Sequence, residues 1–193
     1  VMEEGKVTVD GVTRELPKPY IVIATQNPIG SIGTQMLPES QLDRFMVKVS
    51  MGYPDVESEF EILKSKQNAD PLESVKEVAS AEDIVAMQQT AEQVYVSDEI
   101  YHYIATLAEA TRNDPMLELG VSPRGSISTA RLARAYAFIN GRNFVIPDDV
   151  AAVFPDAASH RVILSPKARV NGTTVLDVLD NILKTVPLPK IEG

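Results

Sequence analysis

The sequence predicts an α/β fragment with few strands and a β-hairpin over residues 1–53, followed by a mainly α-helical unit over residues 54–193. Two observations support this division. Short apolar runs rich in β-branched residues occur at 20–24 and 46–49, which favours buried strands. After Tyr53 such runs nearly disappear and apolar residues recur at helical spacing. The change of pattern predicts a domain boundary near residue 54.

A β-hairpin is predicted near the start of the chain. Residues 6–14 alternate around Asp10-Gly11, a dipeptide that favours a tight turn between two antiparallel strands. This register places Val9 opposite Val12. The preceding residues resemble the last turn of a helix that ends at Gly5.

Polar residues follow the apolar run at 20–24. Thr25, Gln26 and Asn27 come directly after it, and Pro28 ends the strand pattern. Ligands bind at the carboxyl edge of open α/β sheets, so these side chains predict a ligand edge. Arg44 lies just before the second run at 46–49. An amide at one strand end and an arginine before the next are suited to an anion.

Composition excludes several classes of function. Lys and Arg number 18 against 27 Asp and Glu, a net charge of −9, which argues against a general nucleic-acid-binding surface. There is no cysteine for a disulfide or a thiolate metal site. The two histidines, His102 and His160, are expected to be structural or solvent-facing, and no metal site is predicted. No apolar run reaches the roughly 18 residues that span a bilayer, so we expect a cytoplasmic protein without membrane insertion.

The second part of the chain predicts a series of capped helices. Asp55, Ser80 and Ser97 each precede an amphipathic pattern, as does Thr173 or Thr174 near the end. The helix after Ser97 is expected to bury one face, made of Ile100, Tyr103, Ile104, Leu107 and Ala108. Two further helices are expected to begin at Pro123 and Pro147.

Ser122-Pro123-Arg124 places a cation in the first turn of a predicted helix that ends at Asn140-Gly141. The partial positive charge of the helix terminus opposes a cation there by about 0.3–1 kcal/mol. An anion that shares the site removes this cost. Arg124 is therefore either a phosphate ligand or a surface arginine paired with a neighbouring carboxylate, and the spacing alone leaves both open.

Three separated motifs together resemble the AAA+ ATPases of the MoxR family. They are the Ala24-Thr25-Gln26-Asn27-Pro28 segment, the Leu37-Pro38-Glu39 to Leu42-Asp43-Arg44-Phe45 segment, and Ser122-Pro123-Arg124. Residues 141–150 resemble the helical lid of that family. The resemblance implies that residues 1–53 are the C-terminal part of an AAA+ P-loop core and that 54–193 are its α-helical lid. The family's Walker A and Walker B segments would precede Val1.

The resemblance also implies roles for individual residues. Asn27 would be sensor 1, next to the terminal phosphate or the attacking water, and Arg44 would be the arginine finger that reaches the nucleotide of a neighbouring subunit. Arg124 would be sensor 2, which binds phosphate in its own subunit. In other NTPases an arginine finger is worth on the order of 10³–10⁵ in turnover. The hairpin would face the interior of a ring.

The full-length protein is accordingly expected to use ATP and Mg²⁺ and to assemble into a ring, with a hexamer as the expected form. It is also expected to remodel or activate partner proteins such as those with von Willebrand factor A domains. The fragment alone is expected to be inactive. Two alternatives stay open: a magnesium-chelatase-like AAA+ subunit, and a non-catalytic helical interaction module. Some positions depart from the family pattern, among them residues 30–32, residues 35–36, Gly125 in place of a usual alanine, and Ile146 in place of a capping Thr or Ser.

Overall fold

The computed structural model describes residues 5–26, 37–65 and 74–189. Within these ranges the chain forms eight helices and four short strands. The strands pair as two separate antiparallel two-stranded sheets, β1–β2 and β3–β4. The described fold is therefore mixed α/β but mostly helical, as the sequence predicts.

The predicted β-hairpin is present. Strand β1 (Lys6–Val9) pairs with β2 (Val12–Glu15), and Val9 lies opposite Val12 as expected. Asp10 and Gly11 form the turn with φ values of 52° and 76°. Both values lie in the left-handed region that a two-residue hairpin turn requires, which is why Asp-Gly favours it. The helix end predicted before Gly5 lies outside the described residues.

The prediction of buried strands at 20–24 and 46–49 is wrong. Residues 20–26 form no strand, and Ile21 and Ile23 are exposed by 67% and 87%. Residues 46–49 are also irregular, with a single backbone bond from Lys48 N to Asp156 O at 3.0 Å. A strand needs a neighbour to bond its N–H and C=O groups, and the described part of the chain places none beside either run.

The helices of the second part begin where their caps predict. They are α2 (Val56–Ser65), α3 (Ala81–Glu92), α4 (Asp98–Asn113), α5 (Pro123–Ile139), α6 (Pro147–Ala158) and α8 (Val175–Thr185). Short α1 (Glu39–Leu42) lies in the first part. Strands β3 (Leu117–Leu119) and β4 (Ile163–Leu164) and helix α7 (Pro166–Val170) are additional elements that the sequence pattern did not indicate.

One hydrophobic cluster holds α4, α5, α6 and α8 together. The predicted buried face of α4 is confirmed, since Ile100 and Leu107 are fully buried and Tyr103, Ile104 and Ala108 nearly so. Buried residues between 94 and 182 make up the cluster, with Phe154 among its largest members. By contrast, no described residue of α2 is buried. Among the residues that the structure describes, the core therefore lies in the second part of the chain.

Candidate functional site

The site is built where the segment after α1 meets the start of α5. Helix α1 ends at Leu42, and Asp43 follows as its C-cap residue, with N–H donating to Glu39 O at 2.9 Å. At the start of α5, Ser122 is the N-cap and its Oγ accepts from Gly125 N–H at 3.2 Å. Two turns that lie far apart in the sequence thus come within hydrogen-bonding distance of each other.

The Asp43 carboxylate joins them. Its Oδ1 accepts from Ser122 Oγ at 2.9 Å and from Arg161 Nε at 3.0 Å, while its Oδ2 accepts from Arg124 Nη1 at 3.2 Å. We call these four residues, Asp43, Ser122, Arg124 and Arg161, the Asp43 junction. A carboxylate that accepts three such bonds, two of them from guanidinium groups, is held by charge-assisted hydrogen bonds.

Arg161 is the buried member of the junction. Its guanidinium lies on a side chain that is only 1% exposed, and this burial lowers the pKa of Arg161 from its usual value. Besides Asp43 Oδ1, its guanidinium donates to five oxygens: the carbonyls of Asp43 (3.0 Å), Phe45 (2.6 Å), Met46 (3.2 Å) and Ala157, and Ser128 Oγ (3.2 Å). All of its N–H groups can therefore be satisfied, which offsets the cost of burying the charge.

His160 also binds the segment after α1. Its Nε2 lies 2.9 Å from Phe45 O and 2.9 Å from Arg161 Nη1. Because Arg161 can only donate and a carbonyl can only accept, Nε2 either donates to Phe45 O or accepts from Arg161 Nη1, and the tautomer of the ring decides which. Burial lowers the pKa of His160, and the nearby positive charge of Arg161 lowers it further. His160 is thus neutral and structural, and His102 is exposed.

The structure places the three predicted site residues differently. Asn27 lies outside the described residues. Arg44, which follows Asp43 in the chain, is exposed. Its guanidinium forms no ion pair with any residue in the described ranges 5–26, 37–65 and 74–189. Arg124 lies in the first turn of α5 and pairs with Asp43. Of the two roles left open for Arg124, this structure contains the arginine that pairs with a neighbouring carboxylate. The Asp43 carboxylate offsets the unfavourable interaction between Arg124 and the positive end of the helix dipole.

Sequence reasoning missed Asp43 and Arg161. Asp43 was visible inside the motif that carries Arg44, but its partner Arg161 lies 118 positions away and follows α6 without a distinguishing pattern. Gly125 does carry a signal. A Cβ built there would lie 2.5 Å from Val121 Cγ1 and 2.8 Å from Arg161 Cδ. The departure from alanine at this position therefore makes room for the buried arginine.

Comparisons with known proteins agree with the motifs. Residues 1–47 match the family "ATPase family associated with various cellular activities (AAA)", and residues 109–182 match "AAA lid domain". The chain is 42% identical to the uncharacterised protein YeaC of Bacillus subtilis over 97% of the chain and 59% of YeaC. It is 36% identical to the chaperone MoxR1 of Mycobacterium tuberculosis over 100% of the chain and 53% of that protein.

A solved structure gives the same result for the fold. A crystal structure of a proposed ATPase from Cytophaga hutchinsonii superimposes with a TM-score of 0.89 at 34% identity, covering 98% of this chain and 60% of that one. The chain thus spans a little more than half the length of the relatives it matches. With the two family matches, these relatives and the three ordered motifs, the chain belongs to the MoxR-type AAA+ ATPases.

Proposed function

We propose that the full-length protein is a cytoplasmic ATPase that couples ATP hydrolysis in a ring, such as a hexamer, to the remodelling or activation of a partner protein. Family membership supports hydrolysis in general. The printed description of MoxR1 as a chaperone supports action on a protein partner. Proteins with von Willebrand factor A domains are the partner class that we propose to test first.

One observation carries the site proposal. Asp43 joins the segment that bears Arg44 to the helix start that bears Arg124, with Arg124 Nη1 3.2 Å from Asp43 Oδ2. Arg124 already binds an oxyanion at a helix N-terminus, the setting in which a phosphate is also stabilised. Arg44, which adjoins Asp43 in the chain, is exposed and so accessible to a neighbouring molecule. We assign Arg124 to phosphate in its own subunit and Arg44 to the nucleotide next door.

Catalysis would rely on positioning and charge, because phosphoryl transfer needs little covalent chemistry from the protein. Asn27 is proposed to orient the attacking water or contact the terminal phosphate. Mg²⁺ is proposed for the full-length protein, but the described residues contain no group of three acidic, histidine or cysteine side chains that could hold a metal ion. We therefore assign no step to the metal within this part of the chain.

The alternatives have less support. A magnesium-chelatase subunit homologue from Methanocaldococcus jannaschii is 28% identical over 81% of the chain, less on both counts than MoxR1. A non-catalytic interaction module would share the fold without hydrolysing nucleotide. The described residues also contain no helix long and apolar enough to cross a membrane.

The test is ATP hydrolysis and nucleotide binding by the full-length protein and its arginine variants. Arg44→Ala is expected to lower turnover by about 10³-fold or more while the nucleotide Kd stays nearly unchanged. Arg124→Ala is expected to weaken nucleotide binding. Arg169→Ala is the matched control, because Arg169 is exposed and pairs only with Glu118 at 3.4 Å among the described residues.

Two results would contradict the proposal. Equal loss of nucleotide binding in both variants would remove the separate roles of Arg44 and Arg124. Absence of hydrolysis by the full-length wild-type protein, with and without the protein encoded beside it, would leave the interaction module. Residues 1–193 alone contain no GxxxxGK[ST] segment and should not hydrolyse ATP, so clear turnover by this chain would also count against the assignment.

A further inference from the structure

The two arginines that hold the Asp43 carboxylate differ in how easily they can leave it. Arg161 Nε binds Oδ1 from a side chain that is 1% exposed. Arg124 Nη1 binds Oδ2 from a side chain that is 40% exposed. The carboxylate itself is 21% exposed. One ion pair is thus buried within the fold, and the other lies at its surface.

The Arg161 side of the junction is permanent on physical grounds. Its guanidinium also binds the backbone carbonyls of Asp43, Phe45 and Met46, so release would strand several acceptors together with a buried charge. Breaking a buried pair by removing one partner is strongly destabilising for that reason. Arg161 therefore keeps the Asp43 side chain in place.

The Arg124 side can exchange. If Arg124 turns away, Asp43 Oδ1 still accepts from both Arg161 Nε and Ser122 Oγ. No unpaired buried charge therefore results. A partly exposed ion pair is worth about 1 kcal/mol or less, because water screens it. A nucleotide phosphate carries more charge than a carboxylate and can compete for the guanidinium.

We propose that Asp43 and Arg161 are positioning residues for the ATPase reaction: Arg161 fixes Asp43, and Asp43 holds Arg124 until a nucleotide phosphate in the same subunit takes its place. This inference rests on the proposed phosphate role of Arg124. Asp43 directly precedes Arg44 in the chain. Exchange at Arg124 therefore changes the contacts of the residue next to the proposed arginine finger, which links the nucleotide of one subunit to catalysis at the next.

The first test is Asp43→Asn in the full-length protein, with the Kd of a non-hydrolysable ATP analogue as the readout. Removing the competing charge should tighten binding about two- to fivefold, the worth of a partly exposed ion pair. Turnover should not rise together with analogue binding, because the residue before Arg44 is then no longer held in place by its ion pairs. The matched control is Asp156→Asn, the same charge change at an exposed residue whose backbone carbonyl binds Lys48 N–H. Its Kd should equal that of the wild type.

A second measurement separates positioning from general damage. Arg161→Met removes the permanent partner of Asp43, so the carboxylate no longer shares its charge between two arginines. Asp43 should then attract Arg124 more strongly, and the Kd of the ATP analogue should rise. Arg161→Lys, which keeps a charge, should lie between Arg161→Met and wild type. Opposite signs for Asp43→Asn and Arg161→Met are required, because simple loss of structure would weaken binding in both. Circular dichroism checks that both variants are folded, because Asp43→Asn also leaves the buried Arg161 without a carboxylate. If Arg161→Met does not fold, Asp43→Asn and the double variant with Arg124→Gln decide.

The double variant Asp43→Asn/Arg124→Gln shows whether the effect passes through Arg124. With Arg124→Gln present, Asp43→Asn should no longer change the Kd. Unchanged or weaker analogue binding in Asp43→Asn, with Arg124→Gln clearly weakened, would overturn the junction proposal and leave the phosphate role intact. If Arg124→Gln itself binds like wild type, the phosphate role fails, and the junction proposal fails with it.

Discussion

Gly125 occupies the first turn of α5, where a larger side chain has no room. A Cβ would lie 2.5 Å from Val121 Cγ1 and 2.8 Å from Arg161 Cδ, and both side chains are buried. Gly125→Ala should gain up to about 1 kcal/mol from helix propensity. Overpacking costs about 1–3 kcal/mol, so we expect a net loss of about 1 kcal/mol in urea unfolding.

Ser126→Ala is the control for that prediction. Ser126 follows Gly125 on the same helix turn and is only half-buried. Its replacement adds no atom to the space near Arg161. A Gly125→Ala protein as stable as wild type would mean that Val121 and Arg161 shift without cost, and that glycine is not required here.

His160 should make stability depend on pH in the mildly acidic range. Burial lowers the pKa of its ring below 6.5, and the charges of Arg161 and Lys48 lower it further, whereas the Phe45 carbonyl and Asp43 oppose them. The unfolded chain therefore binds more protons between the two pKa values. The contribution is complete above about pH 6.5 and is lost as pH falls from there toward the folded pKa.

Urea midpoints between about pH 8 and about pH 5.5 measure this effect. His160→Gln keeps an N–H for the Phe45 carbonyl and does not titrate, so its stability should fall less over that range. His102→Gln removes the other histidine, which is exposed on α4, and should follow the wild type. Parallel curves for His160→Gln and wild type would exclude His160 as the titrating group.

At the scale of elements, two helices share one capping arrangement but differ in packing. In α8, Thr174 Oγ1 accepts from Asp177 N–H at 3.1 Å and Asp177 returns a bond to Thr174 N–H at 2.9 Å. In α3, Ser80 and Asp83 make the same pair at 3.1 Å and 2.9 Å. Loss of such a cap costs about 1 kcal/mol.

The consequence should differ because of what each helix buries. Helix α8 places Val178, Leu179 and Ile182 in the core, whereas no residue of α3 is fully buried. Thr174→Ala should therefore lower the global unfolding free energy by about 1 kcal/mol. Ser80→Ala should mainly speed amide hydrogen exchange in the first turn of α3. Equal global losses would show that α3 unfolds together with the core.

At the scale of the whole molecule, all of the hydrophobic cluster lies between Val94 and Val186. Residues 78–189 should therefore fold cooperatively without the first part of the chain. This shorter chain should be less stable than residues 1–193, because Arg161 loses Asp43 and the carbonyls of Phe45 and Met46.

Arg161→Met measures that coupling in the two lengths of chain. In residues 1–193 it should cost about 3 kcal/mol or more, because the carbonyls of Asp43, Phe45 and Met46 lose the donor that they share. In residues 78–189 the cost should be much smaller. Equal costs in both lengths, by urea unfolding followed with circular dichroism, would mean that the Asp43 junction does not hold the first part to the second.

The sequence predicted the local features well, because they depend on neighbouring residues. The hairpin register follows from Asp10-Gly11, and the helix starts follow from Ser, Thr, Asp and Pro at their first positions. The family could be identified from the order of three motifs. The roles of Asn27, Arg44 and Arg124 stay predictions that follow from that family.

What the tertiary structure decided depends on residues far apart in the chain. Apolar runs at 20–24 and 46–49 predict strands only where a partner is present, and the described residues provide none. Arg161 and Asp43 lie 118 positions apart, and no local pattern links them. Their pairing arises because a buried guanidinium needs acceptors, and folding brings the turn after α1 to it. The sequence alone therefore determined the hairpin, the helix starts and the family, while only the folded chain shows which acid holds Arg124.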